Sequence, residues 1–170
     1  MLQDSTALAV CHVARARQPQ PFRDWGRKSK IGMGWWYGFK LQVQCDEAGR
    51  LWGLDLTTAP VDDRQVLDPL TRWMKDGIVV GDGGYLSQAK ATELAQRGGY
   101  LLTATRKNMR KVASQFQLAC LQLRHRVEEV CACLKTACGA VRTTPRAAHA
   151  LPIHLLCCLL ASSLYNSLIA

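Results

Sequence analysis

The stretch Ile78–Tyr85, IVVGDGGY, decides the fold prediction for this chain. Three apolar residues run into Gly81 and Asp82, and a short apolar run bounded by glycines is typical of a buried strand. Such a strand would present the Asp82 carboxylate at the edge of a sheet, where the ligand sites of α/β proteins lie. The alternative is a strand-ending turn in which Asp82 bonds only its own backbone, and the stretch taken alone favours that turn.

Length and composition predict a globular, basic domain. The chain has 170 residues, of which 48% are apolar, so it can bury a core and is not globally disordered. It has 22 Lys and Arg against 13 Asp and Glu, which gives a net charge of +9. This excess predicts a polyanionic partner, most simply nucleic acid, although a basic surface that binds nothing is the alternative.

The cysteines and the C-terminal segment predict the cellular compartment and whether the chain is inserted in a membrane. The eight cysteines form no CxxC pair and have no zinc-finger spacing, which predicts a reducing, cytoplasmic compartment. Leu151–Ala170 is about as long as a membrane span, which needs ~20 apolar residues. Polar residues such as His154 and Asn166 instead favour a helix that packs on the domain over residues 150–170, with no membrane partner.

The rest of the pattern alternates between strand and helix signals, which predicts an α/β fold. The predicted elements, in chain order, are a strand over Met1–Cys11, a basic loop over 12–34, a β-hairpin over Trp36–Leu56, a helix capped by Asp62 or Asp63, the strand before Asp82, a helix capped by Ser87, a strand over Tyr100–Thr105, a helix over Ser114–Cys138 and the last helix.

The predicted helix Ser114–Cys138 has two stripes. Its apolar stripe consists of Leu123, Val127, Val130 and Leu134. Its polar stripe consists of Arg124, Glu128 and Lys135, which helix geometry sets within about 40° of one another. The helix can therefore dock on a sheet and present Glu128 between two cations, or these residues simply pair on its surface.

Three carboxylates lie on separate predicted elements: Asp4, Asp82 and Glu128. If the two strands are neighbours, the aspartates lie side by side and the helix brings the glutamate opposite. Clustered carboxylates repel one another unless a cation neutralises them, and hard oxygen ligands suit Mg²⁺ or Mn²⁺. Two such ions, about 4 Å apart, stabilise the attacking and leaving oxygens of a phosphoryl transfer.

Several stretches in this order resemble one known family. They are DSTALAVC from Asp4, GMGWWYGFKLQ from Gly32, TTAPVDDR from Thr57, GDGGYLS from Gly81, RKNM from Arg106, the set Arg124, Glu128 and Lys135, and HLLCCLLASSL from His154. Together they cover nearly the whole chain. The sequence is similar to the catalytic domain of DDE transposases of bacterial insertion sequences, in the insertion-sequence-982 branch. Two positions depart from the pattern: Leu121 stands where related families have tyrosine, and Gly83 where they often have lysine.

The resemblance implies a ribonuclease-H-like fold, with a mixed five-stranded sheet flanked by helices and an extra C-terminal helix. It implies DNA strand cleavage and joining with two Mg²⁺ or Mn²⁺ ions held by the catalytic residues Asp4, Asp82 and Glu128. The expected phosphate contacts are Arg106, Lys107, Arg110, Arg124 and Lys135, the first three from the basic run RKNMRK.

The resemblance also implies which partners the protein binds and how long a complete family member is. The expected partners are transposon ends, target DNA and, as an option, a second copy of the chain, in the bacterial cytoplasm at the nucleoid. Family members carry a DNA-binding region before the first aspartate, and three residues precede Asp4 here, so we expect a truncated chain that is weakly active or inactive alone. The alternatives are a DNA-binding remnant without turnover and another ribonuclease-H-like nuclease.

Overall fold

The computed structural model describes residues 1–17, 22–31, 34–104, 114–141 and 149–169. Its strands are β1 (Leu2–Cys11), β2 (Arg27–Ile31), β3 (Gly34–Cys45), β4 (Leu51–Thr58), β5 (Gly77–Gly81) and β6 (Gly99–Thr103). Its α-helices are α1 (Leu67–Thr71), α2 (Gln88–Gln96), α3 (Gln115–Gln122), α4 (His125–Thr136) and α5 (Ala150–Ile169). Short 3₁₀ turns cover Val13–Arg17, Asp63–Val66 and Gly83–Tyr85.

The strands form one mixed sheet. Its order is β2-β3-β1-β5-β6, and β4 pairs with β3 outside this path. The β1–β5 and β5–β6 pairs are parallel, whereas β2 and β3 are antiparallel. The predicted α/β fold, a mixed sheet flanked by helices, is therefore confirmed. Over the described ranges the sheet has six strands and not five.

The additional strand is β2, which lies inside the predicted basic loop. The loop prediction is wrong for this part, because β2 pairs with the start of β3, with Lys28 opposite Tyr37 and Lys30 opposite Trp35. The segment is too basic to resemble a strand by itself. Long-range pairing decides its conformation, and lysines are common on edge strands because they discourage pairing with further chains.

The chain divides into two compact units. The first consists of Met1–Asp4, Gln42–Asp55 and Asp62–Glu129, and the second of Ser5–Leu41, Leu56–Val61 and Val130–Ala170. In the first unit, apolar residues of α1, α2 and β5 surround the buried Tyr85. Both predicted caps form hydrogen bonds there. The Asp62 carboxylate accepts from the Arg64 N–H and caps the 3₁₀ turn that precedes α1, and the Ser87 hydroxyl accepts from the Lys90 N–H and caps α2.

The predicted hairpin turn is built around Asp46. Its carboxylate accepts hydrogen bonds from the backbone N–H groups of Ala48 (3.0 Å) and Arg50 (2.9 Å). It also accepts from Arg50 Nε (2.7 Å) and Trp52 Nε1 (3.2 Å). Burial alone would raise the pKa of the Asp46 carboxyl, but these donors outweigh it and lower the pKa. The turn between β3 and β4 therefore depends on one ionised carboxylate.

The long helix predicted over Ser114–Cys138 is two helices, so that prediction is wrong. Ser114 and Gln117 form a capping box at the start of α3, and the chain turns at Leu123 and Arg124 before α4 begins. This turn interrupts the helical periodicity between α3 and α4. Leu123 is therefore exposed and does not belong to the apolar stripe in which it was predicted. The α4 members of that stripe are buried: Val127, Val130 and Leu134.

Helix α5 is buried along one stripe and exposed along another. The buried residues are Leu151, Leu155, Cys158 and Ser162, with the four-three-four spacing of a helix face. The exposed apolar residues are Ile153, Leu156, Leu160, Leu164 and Tyr165. The Cys158 thiol donates to the Cys138 carbonyl at 2.8 Å. Among the helices that the structure describes, none combines the length and apolarity needed to cross a membrane.

Candidate active site

Asp4 lies on β1, and Asp82 directly follows the neighbouring strand β5. Strands β1 and β5 run parallel, with Leu2 paired to Val80. The same register, continued by two residues, sets Asp4 beside Asp82, and residues two apart in a strand point to the same face. The two aspartates also belong to the same compact unit. Two carboxylates on neighbouring parallel strands thus lie where β5 ends.

The turn that the sequence allows after β5 is observed at Asp82. Its Oδ1 accepts a hydrogen bond of 2.7 Å from the Gly84 N–H and so starts the 3₁₀ turn Gly83–Tyr85. A Cβ atom at position 84 would lie 2.9 Å from that oxygen, closer than van der Waals contact allows. A side chain here would therefore force the Asp82 carboxylate to shift. The turn fixes one oxygen of Asp82 and orients the side chain.

Sequence reasoning missed a buried polar network around Tyr85. The Tyr85 hydroxyl donates to Gln42 Oε1 at 2.8 Å, and Gln42 Nε2 donates to Asp63 Oδ1 at 2.7 Å. Tyr85 is 1% exposed and Gln42 is fully buried. Burial raises the pKa of Tyr85 far above its usual value, and the nearby carboxylates add to the rise, in the order Asp63, Asp4 and Asp82. Tyr85 therefore stays a neutral donor next to the carboxylates.

Glu128 has a different partner in the structure. Its carboxylate lies 2.7 Å from the Arg124 guanidinium, and its side chain is 49% exposed. Across the described ranges, no three His, Cys, Asp or Glu side chains are grouped so that they could hold a metal ion. The strand register supports a short separation of the two aspartates, and the convergence of all three carboxylates stays a prediction. The neighbouring Glu129 pairs with Arg126 at 2.9 Å.

The predicted cations are only partly within the described chain. Arg124 holds Glu128, and Lys135 lies half-buried on α4, seven residues after Glu128. The other three predicted phosphate contacts lie outside the described residues: Arg106, Lys107 and Arg110.

The chemistry of the aspartate pair fits a divalent cation. Asp4 and Asp82 offer hard oxygen donors from adjacent strands, which is the ligand type that Mg²⁺ and Mn²⁺ prefer. Tyr85 cannot compete as an anionic ligand because its raised pKa keeps it protonated. The donor set therefore fits the type of divalent cation that the sequence predicts.

Comparison with known proteins gives two findings. The family model described as transposase DDE domain matches residues 1–148, whereas no curated protein matches the chain. Among solved structures, the chain is similar to the piggyBac transposase in a synaptic complex with hairpin DNA, with a TM-score of 0.60 and 14% identity. The match covers 98% of this chain and 45% of that one. At this identity the likeness shows the fold alone, which is the ribonuclease-H-like fold expected.

Proposed function

We propose, from the premise that this chain belongs to the family of transposase DDE domains, that it cleaves DNA strands and joins them to new ones with divalent metal ions. The observation that supports the proposal is the parallel pairing of β1 with β5, in which Leu2 is opposite Val80, because Asp4 and Asp82 each follow two residues later. The motifs of the sequence further support membership of the insertion-sequence-982 branch.

In the proposed site, Asp4 and Asp82 would hold the metal from adjacent strands. Glu128 would be the third ligand, and for this its pairing with Arg124 would have to open. Bound Mg²⁺ or Mn²⁺ supplies an activated oxygen nucleophile and stabilises the leaving oxygen. Asp82 is oriented by its bond to the Gly84 N–H. Tyr85, hydrogen-bonded to Gln42, would keep the surroundings of the aspartates free of a further negative charge.

The charge of the chain supports DNA as the substrate. A net charge of +9 attracts a polyanion, and freed Arg124 together with Lys135 would contact phosphates on either side of Glu128. The proposed partners are transposon ends and target DNA in the bacterial cytoplasm, with a second copy of the chain in the assembled complex. Arg106, Lys107 and Arg110 are proposed to extend this surface.

One observation favours a second candidate, a protein that binds DNA without turning it over. The pairing of Glu128 with Arg124 leaves the described residues without a three-ligand group. If that pair does not open, the aspartates alone would bind metal weakly.

The test is an oligonucleotide assay with the full chain, in which cleavage and joining of labelled DNA are measured with Mg²⁺ and with Mn²⁺. We expect Asp4→Asn and Asp82→Asn to abolish both reactions. Asp76→Asn is the matched control, because Asp76 is exposed in the turn before β5. Cleavage without joining would favour another ribonuclease-H-like nuclease, and binding without cleavage would favour the second candidate.

A further inference from the structure

The end of helix α4 brings two cysteines of the second compact unit together. Cys133 lies in the last turn of this helix, which ends at Thr136. In a continued helix, residues five apart lie about 140° apart around the axis, so Cys138 would face another side. Instead, the Cys138 N–H turns back and donates to the Cys133 carbonyl at 3.0 Å, and Gly139 continues the turn with a φ of 72°. The end of the helix therefore places Cys138 beside Cys133.

The thiols of this pair are hydrogen-bonded to each other. Burial raises the pKa of the Cys138 thiol, and the charge of Cys133 and the hydrogen bond to its sulfur add to the rise. Cys138 therefore keeps its proton and donates it to the Cys133 sulfur. Both cysteines are free and only half-buried, so both residues are in contact with solvent.

Helix α5 fixes this turn in place. His154 Nε2 lies 3.1 Å from the Gly139 carbonyl oxygen, which can only accept, so the imidazole donates to it. The thiol of the buried Cys158 donates to the Cys138 carbonyl at 2.8 Å. The hydrogen of Cys158 is thus directed at the backbone, whereas that of Cys138 is directed at another sulfur. The described residues contain no group of three side chains that could hold a metal ion, so the chemistry open to this cluster is that of a thiol pair.

We propose that Cys133 and Cys138 form a reversible disulfide when the protein meets a hydroperoxide. The Cys133 sulfur attacks one peroxide oxygen, the O–O bond breaks, and a sulfenic acid and one water form. The Cys138 sulfur then attacks the Cys133 sulfur, the S–O bond breaks, and hydroxide leaves with the Cys138 proton as a second water. The two thiols lose two electrons and the peroxide gains them. The inference is independent of the proposed function.

The expected bond is of the regulatory and not the structural kind. It closes a loop of six residues, 133–138, and a disulfide across so short a loop constrains the unfolded chain little. In a reducing compartment, disulfides are usually transient and redox-sensing. A thiol reductant should therefore return the pair to the free cysteines of this structure.

The test uses trypsin, which separates the two cysteines because Lys135 lies between them. The full chain is treated with hydrogen peroxide, the remaining thiols are alkylated, and the digest is analysed by mass spectrometry. We expect residues 127–135 cross-linked to residues 136–142, two hydrogen atoms lighter than the separate peptides, and loss of this product with dithiothreitol. Fragmentation must place the bond on Cys133, since the first peptide also contains the buried Cys131.

Cys133→Ser and Cys138→Ser should each lose the cross-linked product. Cys157→Ser is the matched control and should keep it, because Cys157 is an exposed cysteine of the same unit outside the thiol pair. Thermal melting of each variant checks the fold, and the wild-type digest by itself decides whether the bond forms. In concentrated urea the wild-type chain should give several pairings, because the fold no longer holds the two sulfurs together.

Three results would overturn the proposal. They are the absence of a cross-linked peptide from the oxidised wild-type chain, a main product in which Cys138 is bonded to Cys158 or to Cys131, and equal yields of the Cys133–Cys138 bond from the folded and the urea-unfolded chain. None of them bears on cleavage or joining of DNA.

Discussion

Replacing Tyr85 by phenylalanine should destabilise the protein through the loss of a single hydrogen bond. Phenylalanine fills the same buried space but leaves Gln42 Oε1, which accepts from the Tyr85 hydroxyl at 2.8 Å, without its donor. A buried acceptor without a partner costs about 1–3 kcal/mol. For a urea m-value of about 2 kcal/mol/M, the unfolding midpoint should fall by about 0.5–1.5 M at pH 7. Urea unfolding followed by circular dichroism measures this midpoint.

The destabilisation caused by Tyr85→Phe should also depend on pH in the alkaline range. The pKa of Tyr85 is raised in the folded protein, so above pH ~10 the tyrosine ionises first in the unfolded chain. The contribution of Tyr85 to the free energy of unfolding is fully present below pH ~10 and decreases as the pH rises further. The difference between wild type and Tyr85→Phe should therefore shrink above pH ~10. Tyr165→Phe, at an exposed site, is the control. A Tyr85→Phe loss below about 0.5 kcal/mol at pH 7 would refute the reasoning, because surface substitutions cost that little.

Three further predictions concern the sheet, the hairpin and the charge. Gly38→Ala should give little folded protein in a solubility and melting assay, because a Cβ atom there would overlap the Leu8 carbonyl oxygen. Asp46→Ala should lower the free energy of unfolding by about 1–3 kcal/mol at pH 7, since the carboxylate holds the turn. The pKa of Asp46 is lowered in the folded protein, so the difference between wild type and variant should vanish as the pH falls through that folded-state pKa. A difference that is constant with pH would contradict this prediction. Lys135→Ala should weaken binding to all DNA sequences alike and reduce the slope of log affinity against log salt by about one, whereas an unchanged slope would show that Lys135 contacts no phosphate.

The local sequence was sufficient to predict the central strands and their carboxylates. An apolar run that ends in glycine and aspartate has few conformations open to it, and β5 followed by Asp82 is the result. The hairpin turn at Asp46 and the caps at Asp62 and Ser87 were likewise predictable, because a short polar side chain satisfies nearby backbone donors.

Features that depend on distant parts of the chain could not be predicted. Strand β2 exists because β3 pairs with it, and its own residues resemble a loop. Gln42 occupies a polar position in an alternating strand, which indicates an exposed side chain, yet Tyr85 and Asp63 enclose it. The break before α4 has no glycine or proline to mark it. The sequence pattern is compatible with a Glu128 carboxylate that pairs with Arg124 and with one that faces a metal ion. It therefore could not predict the Arg124 pair that the structure shows.

The most direct test of a metal held by Asp82 is metal-specific rescue. Cysteine in place of the aspartate offers a sulfur ligand, which Mn²⁺ accepts more readily than Mg²⁺. We therefore predict that Asp82→Cys cleaves DNA with Mn²⁺ but not with Mg²⁺, that Asp82→Ser cleaves with neither, and that the wild-type chain cleaves with both. Equal activity of Asp82→Cys and Asp82→Ser with Mn²⁺, or wild-type activity of either with Mg²⁺, would contradict the assignment of Asp82 as a metal ligand.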